Sequence, residues 1–335
     1  MTTIPSAPPR ISPVENQADR PFWSVMIPTY NCAKYLVKTL ESVLAQDSGP
    51  AEMQIEVVDD VSTKDDPEAV VREIGKGRVR FHRHPANMGA SRNFNACIQR
   101  ARGHWVHILH GDDFVLPGFY EKMRRATESA DVAMACCRAF VVDESDAIDS
   151  LSPRIGSLES PGRDVTAFCY NNPFLTPAVV IRRSIYEAEG GFREELIHVA
   201  DWDMFVRAIR LGAGLAVNEP LASYRLFAAN DTSRLMRTGE NLRDYLRLSE
   251  VFAAAAADFD MARFRHAVAS RARGQADAAR ERGDLEAAEA NEKVWLELVP
   301  GDNANPKSAK WFLKQFIPPG LLGLSRFLQG ANGSR

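Results

Sequence analysis

The stretch Trp105–Pro117, WVHILHGDDFVLP, constrains this chain more than any other. Apolar and β-favouring residues run into Gly111, then two adjacent carboxylates, Asp112 and Asp113, and then Pro117. A buried strand stopped by Gly and Pro is how an open α/β sheet delivers side chains to the crevice at its strand ends. Two neighbouring aspartates repel unless a cation, a hydrogen-bond donor or water compensates them. One reading is a divalent metal holding nucleotide phosphates. The other is an Asp-rich turn capping a helix that starts near Pro117.

The same grammar recurs upstream. Trp23–Pro28 is an apolar run ending in Pro-Thr-Tyr-Asn, where Asn31 reads as the cap of a helix carrying Leu36, Leu40, Val43 and Leu44 at helical spacing. Ile55–Asp60 is a second strand ending in acid, with Pro67 opening the next helix. Asp60 can accept hydrogen bonds from a base or ribose, or close an Asx turn. Val79–His82 leads through Asn87 and Gly89 into a helix over Ala90–Arg102, with Arg92 near its start, facing a phosphate, a base or solvent. His104, His107 and His110 recur every third residue, but a strand turns His107 away from the other two and argues against a zinc face. His110 is then a packed or solvated side chain, or a neighbour of the carboxylates.

After the Asp pair the pattern predicts a helix over Pro117–Ser129, a strand over Asp131–Cys137 continuing extended to Val142, a flexible surface loop over Glu144–Gly162 and a strand over Thr176–Ile181. Gly190-Gly191-Phe192 precedes a helix over Asp201–Leu211, with Met204, Phe205, Ala208 and Ile209 facing inward. Asp201 thus stands at a helix N-terminus, which favours an ionised carboxylate as a cap or as a general base. Trp202 beside it is a core residue or a stacking surface for a sugar. Tyr224-Arg225 is a diphosphate contact or a strand-edge pair.

The ends of the chain read differently. Residues 1–20, with Pro5, Pro8, Pro9 and Pro13, are expected to form a disordered leader. From about Gly239 the sequence is helical and Ala-rich, and Gly274–Pro300 resembles one tetratricopeptide-like hairpin, which must pack on neighbouring helices to bury its faces. The segment 307–328 mixes aromatic and basic residues around Pro318-Pro319. It is a candidate for peripheral contact with an anionic membrane surface, or for a helix packed on the body. A net charge of −3 gives no ground for nucleic-acid binding, and five cysteines without a CxxC pair suit reduced thiols. With no apolar stretch of signal-peptide or membrane-spanning length, a cytoplasmic protein is expected, at most peripheral at the inner face of a membrane.

Taken together, Val25–Asn31, Ile55–Ser62, Asn87–Asn93, Leu109–Pro117 and Gly190–Arg207 resemble, in order and spacing, the SVIIPTYN, VVDDGS, NxGxxxxRN, DD and GGF…DWD signatures of inverting glycosyltransferase family 2. The resemblance covers about residues 22–235. It implies an α/β GT-A fold over 21–237, Rossmann-like with a mainly parallel sheet and helices on both faces, followed by an α-helical C-terminal region over 238–335. It further implies an inverting, hexosyltransferase-like enzyme that moves a sugar from a nucleotide-sugar donor to a hydroxyl of a glycan, polysaccharide or lipid-linked acceptor, using Mg²⁺ or Mn²⁺. On it Pro28, Thr29 and Tyr30 resemble the loop that contacts the base, Asp60 the acid that reads it, and Arg92 a donor-facing residue. Asp113 resembles the direct metal ligand, Asp112 a ribose- or metal-contacting acid, and Asp201 the catalytic base. Three positions depart from the pattern: Val61 where Gly is usual, Ala200 where Glu often precedes the base, and Phe227 where His often follows Tyr-Arg. A sugar-nucleotide pyrophosphorylase or a dinucleotide oxidoreductase would need a Gly-rich loop after the first strand, which Pro28–Asn31 is not. The remaining alternative is a degenerate transferase domain serving as a scaffold through its C-terminal helices.

Overall fold

The computed structural model describes residues 6–15, 18–227, 230–256 and 258–299. The chain alternates strands and helices in the order β1 (Trp23–Thr29), α1 (Ala33–Leu44), β2 (Met53–Asp59), α2 (Pro67–Gly75), β3 (Arg80–Arg83), α3 (Ala90–Arg100) and β4 (Trp105–Ile108). Then come β5 (Phe114–Val115), α4 (Phe119–Ala126), β6 (Val132–Val142), β7 (Ile148–Leu151), β8 (Val179–Arg182), α5 (Arg183–Glu189), α6 (Ala200–Leu211) and β9 (Ala213–Arg225). Four helices follow: α7 (Asp231–Thr238), α8 (Glu240–Ala255), α9 (Met261–Glu281) and α10 (Leu285–Leu298).

One sheet runs β3-β2-β1-β4-β8-β6-β9-β5, with β7 added beside β6. Strands β1 to β4 are parallel to their neighbours, so their C-terminal ends share one edge. Beyond β4 the sheet turns mixed: β8 is antiparallel to β4 and β6, and β5 is antiparallel to β9. Alternation along β1 divides the interior. Trp23, Val25 and Ile27 pack with Leu36, Leu40 and Val43 of α1 and with Phe119 and Met123 of α4. Met26 faces the opposite layer, with Cys97 and Ile98 of α3, Ile185 of α5 and the inward face of α6.

That second layer does not stop at residue 237. Leu242, Leu248 and Phe252 of α8, with Phe264 and Val268 of α9, belong to the same buried cluster as Trp202 and Phe205. The expected helical C-terminal region is present as α7–α10, and it packs on the same core as α6. The hairpin α9–α10 turns at Gly283 (φ 76°) and packs through Ala279, Ala287 and Ala288. The segment 307–328, and with it the expected membrane contact, lies outside the described residues. No helix among the described residues is long and apolar enough to cross a membrane.

Three expectations are corrected. The described part of the leader is packed, not disordered: Ile11 is 3% exposed, the Pro9 carbonyl accepts the Gly191 N–H at 2.8 Å, and the Ser12 carbonyl accepts from Arg183 at 3.1 Å. Its prolines suggested disorder, yet extended Pro-rich backbone also offers free carbonyls to a neighbour. The loop over 144–162 contains β7 and buries Ile155 and Leu158. Asn31 does not cap α1. It sits at φ 52° with its side chain accepting the N–H groups of Thr63 and Lys64, while Asp65 takes the Ala33 amide at 2.8 Å.

Candidate active site

The edge formed by the C-terminal ends of β1, β2 and β4 carries the sequence-predicted side chains, and backbone pairing persists past the strands to hold them. The N–H of Asp60 reaches Thr29 O at 2.9 Å, and that of Gly111 reaches Pro28 O at 3.0 Å. A Cβ on Gly111 would lie 2.6 Å from Thr29 Cγ2 and 2.9 Å from Cys32 Sγ, so this close approach demands glycine. From the other side α1 and the turn just after it grip the acidic turn. Thr39 Oγ1 donates to Asp113 O (2.6 Å), Ser42 Oγ accepts from the Val115 N–H (3.2 Å), and Gln46 Nε2 donates to Leu116 O (3.0 Å).

Asp113, expected to be the direct metal ligand, is 1% exposed, and its Oδ1 accepts the Arg225 N–H at 2.7 Å. Its Oδ2 has no hydrogen-bond partner; His110 Nδ1 lies 3.4 Å away. Asp112 is the more open of the pair. Burial and the Asp113 charge push its pKa up to about 7. One ligand atom each from His110, Asp112 and Asp113 lies within 4.8 Å of the others. An imidazole nitrogen and two carboxylate oxygens, with Asp113 Oδ2 buried and without a hydrogen-bond partner, form a donor set that fits a divalent cation. Burial opposes a charge on His110, but the adjoining carboxylate of Asp113, aided by the charges of Asp112 and Asp201, raises its pKa. The ring also stacks on Phe94, with centroids 5.0 Å apart.

Asp201 occupies the first turn of α6. Its Oδ1 accepts the Trp202 N–H at 2.7 Å and its Oδ2 accepts the Thr176 hydroxyl at 2.9 Å. Burial raises its pKa; those two bonds and His110 oppose the rise. Asp112, Asp113 and Asp201 all act electrostatically on His110 and on the Tyr224 hydroxyl, which puts the three acids in one neighbourhood. Thr176 was not found from sequence. It is held through His107, whose Nε2 bonds Pro177 O at 3.0 Å and whose Nδ1 bonds the Tyr120 hydroxyl at 3.1 Å. Burial lowers the His107 pKa to about 4, so the ring is neutral. A carbonyl only accepts, which places the proton on Nε2 and makes Tyr120 the donor to Nδ1.

The turn that delivers α6 is clamped by α3 and by α6 itself. Asn95 Oδ1 accepts the Phe192 N–H at 2.7 Å, Ser91 donates to Leu196 O, and Arg207, paired with Asp203, donates to Gly191 O at 2.7 Å. A Cβ on Gly191 would fall 2.2 Å from Asn95 Oδ1, which explains the second glycine of that motif.

Several expected donor contacts are placed differently. Pro28 and Thr29 are buried within β1, and Tyr30 alone of the three is open, at 50% exposure. Asp60 accepts one N–H group on each carboxylate oxygen, from Met88 (2.7 Å) and Gly89 (2.8 Å), and so braces the loop before α3. Arg92 pairs with Glu194 at 2.7 Å, its side chain 56% exposed. Arg225 is no free diphosphate contact: its Nε bonds Asp112 O at 2.8 Å, its Nη1 bonds Asp143 O, its Nη2 pairs with Asp146, and its guanidinium lies over Tyr35. Phe227, in place of the usual His, packs on Tyr35 with centroids 5.1 Å apart. Trp202 donates its indole N–H to Phe168 O and belongs to the core.

With the site drawn, its relatives can be placed. Residues 24–189 match the glycosyl transferase family 2 profile. An uncharacterised protein of Mycobacterium tuberculosis is 31% identical over 244 residues, 68% of this chain and 75% of its own. The succinoglycan biosynthesis protein ExoO of Rhizobium meliloti is 32% identical over 214 residues, 59% of this chain and 58% of its own. Chondroitin synthase of Escherichia coli is 28% identical over 207 residues, and this chain spans 28% of its length. Among solved structures, Staphylococcus aureus TarS with UDP-GlcNAc superposes with a TM-score of 0.53 at 16% identity, covering 82% of this chain and 90% of that one. The mannosyltransferase PcManGT of Pyrobaculum calidifontis, in complex with GDP-Man and Mn²⁺, gives 0.53 at 17% identity, covering 96% and 88%. The fold is GT-A, with α7–α10 appended. Motif order, sheet topology and the family profile agree: this chain belongs to glycosyl transferase family 2.

Proposed function

We propose that this protein transfers a sugar from a nucleotide-sugar donor to a hydroxyl of a glycan or lipid-linked acceptor, with inversion at the anomeric carbon. The observation that supports the reading is proximity: the acidic pair, with its unpartnered oxygen, and Asp201 both lie near enough to His110 to act on its charge. Solved relatives in fold are named as complexes with UDP-GlcNAc and with GDP-Man and Mn²⁺, which supports the donor class and a divalent cation.

Asp113, through its free oxygen, and Asp112, with His110 beside them, would hold the cation. Mg²⁺ or Mn²⁺ bound there offsets the charge that develops on the departing diphosphate. Tyr30, exposed at the end of β1, offers a ring face to the base. Asp201 accepts the proton of the acceptor hydroxyl. Each of its oxygens takes one donor from the protein and keeps a lone pair for that hydroxyl. Burial makes it a stronger base than a free aspartate, and the Thr176 bond fixes its direction. Attack by that hydroxyl on the face opposite the diphosphate inverts the carbon in one displacement.

The deciding experiment is Asp201→Asn, assayed with Mn²⁺ and a panel of UDP- and GDP-sugars. Donor affinity is expected to hold while turnover drops roughly 10²–10⁴-fold. Undiminished turnover removes Asp201 from the base role.

A further inference from the structure

Helix α8 reaches the first turn of α6 through one side chain. Asp244 is fully buried, at 0% exposure. Its Oδ2 accepts the backbone N–H of His198 at 2.6 Å and of Val199 at 3.2 Å, while Arg247 donates to Oδ1 at 3.2 Å. These are the two amides immediately before α6, whose N-cap residue, Val199, supplies no side-chain cap of its own. A helix start leaves N–H groups without intrahelical partners, and a local Ser or Asp ordinarily satisfies them. Here the acceptor comes from 45 residues downstream. The neighbouring residue of α8 tightens the link: Tyr245 packs edge-on against the rings of both His198 (5.7 Å) and Trp202 (5.8 Å).

Asp201 is the second residue of α6, and its carboxylate takes the Trp202 amide of the same turn. The tilt of that turn sets where the carboxylate points. We propose that Asp244 is a positioning residue for sugar transfer: it fixes the amides of His198 and Val199 and thereby aims Asp201 at the acceptor hydroxyl. The proposal rests on the reading of Asp201 as the base. A carboxylate suits the task because one charged oxygen can hold two converging N–H groups, and a charge-assisted bond is stronger than a neutral one. It also gives the C-terminal helices a part in the chemistry, since α8 lies outside the segment that carries the family motifs.

The test uses the full chain with Mn²⁺ and, as probes, UDP-GlcNAc and GDP-mannose, following release of UDP or GDP with water as acceptor. In Asp244→Asn the amides of His198 and Val199 lose the charged oxygen they share, and the new N–H₂ faces either those amides or Arg247. Release is expected to fall roughly tenfold to a hundredfold, the cost of a small misplacement of a reacting group. Donor affinity by calorimetry should stay within about twofold, because the donor side of the cleft is untouched. Amide hydrogen exchange at Val199 and Trp202 should quicken. Arg247→Met keeps both amide bonds and is expected to retain release within about twofold. If Asp244→Asn does not fold, Asp244→Glu keeps the charge but displaces the carboxylate, and the same losses are expected. Wild-type release in a folded Asp244 variant, or loss of donor affinity in step with release, overturns the proposal. So does unchanged exchange at Trp202, whichever donor the enzyme takes. Asp201→Asn in parallel separates the two readings. If it alone loses release, positioning by Asp244 fails; if it keeps full release, the base assignment falls and the positioning role falls with it.

Discussion

Val61 sits at φ 63°, in the left-handed region that a β-branched side chain tolerates poorly. The bonds around it require that geometry, since Ser62 must turn back to donate its N–H and hydroxyl to Asp59 while accepting the Asn31 amide. The chain thus keeps the backbone of a glycine with the side chain of a valine. Val61→Gly is expected to raise unfolding stability by about 1 kcal/mol, strain relief outweighing the added freedom of the unfolded chain, without altering the site. Urea denaturation checks it, and a loss of stability would show that the surroundings favour the valine. The acidic pair gives a pH signature. Because the pKa of Asp112 is raised to about 7, the stability that its neutral form confers is complete below the ordinary carboxylate range and disappears as pH rises through about 7. A bound cation reverses the preference, since it needs the charged form. The thermal shift produced by Mn²⁺ should therefore be larger at pH 8 than at pH 6, and equal shifts would remove Asp112 from the ligand set. The acids were legible in the sequence because Gly-Asp-Asp after an apolar run has few other uses. His110 was legible as a neighbour of those acids, two and three residues on, whereas Thr176 was not, because its partner Asp201 lies 25 residues downstream.

The elements that hold the site act through small polar side chains on helix faces. Thr39 and Ser42 of α1 and Gln46 in the turn just after it bond three points of the segment 113–116. Thr39→Val keeps the shape and deletes the bond to the Asp113 carbonyl. It is expected to cost about 1–3 kcal/mol in chemical denaturation and to weaken Mn²⁺ binding, because the acidic turn loosens. Wild-type values in both measurements would show that β5 alone fixes the turn. Parallel strands β1, β2 and β4 were readable from apolar runs ending in polar turns, and α1, α3 and α6 from their helical spacing. β5 is two residues long and β7 lies in a stretch rich in Ser and Asp, so neither carries a pattern of its own. Both owe their strand form to neighbours, β9 and β6, which a local reading does not contain.

At the scale of the whole molecule, the core crosses the boundary that the motifs suggested. Leu248 of α8 is buried in the cluster that holds Trp202 and Phe205, so the C-terminal helices and the sheet should unfold together. Leu248→Ala is expected to cost about 2–5 kcal/mol and to leave a single transition whether followed by tryptophan fluorescence or by helical circular dichroism. Two separated transitions would restore the picture of independent domains. Composition shift and Ala-richness marked where the helices begin, but not what they cover, because an apolar helix face does not name its partner.

The bond from the Arg225 amide to Asp113 Oδ1 joins residues 112 positions apart and closes the acidic turn against the last strand. During synthesis the N-terminal strands emerge first, and a contact of such long sequence separation pays its loop-closure entropy late. A nascent chain thus carries its parallel N-terminal strands well before its acidic turn is locked, and that turn is complete only when β9 has docked.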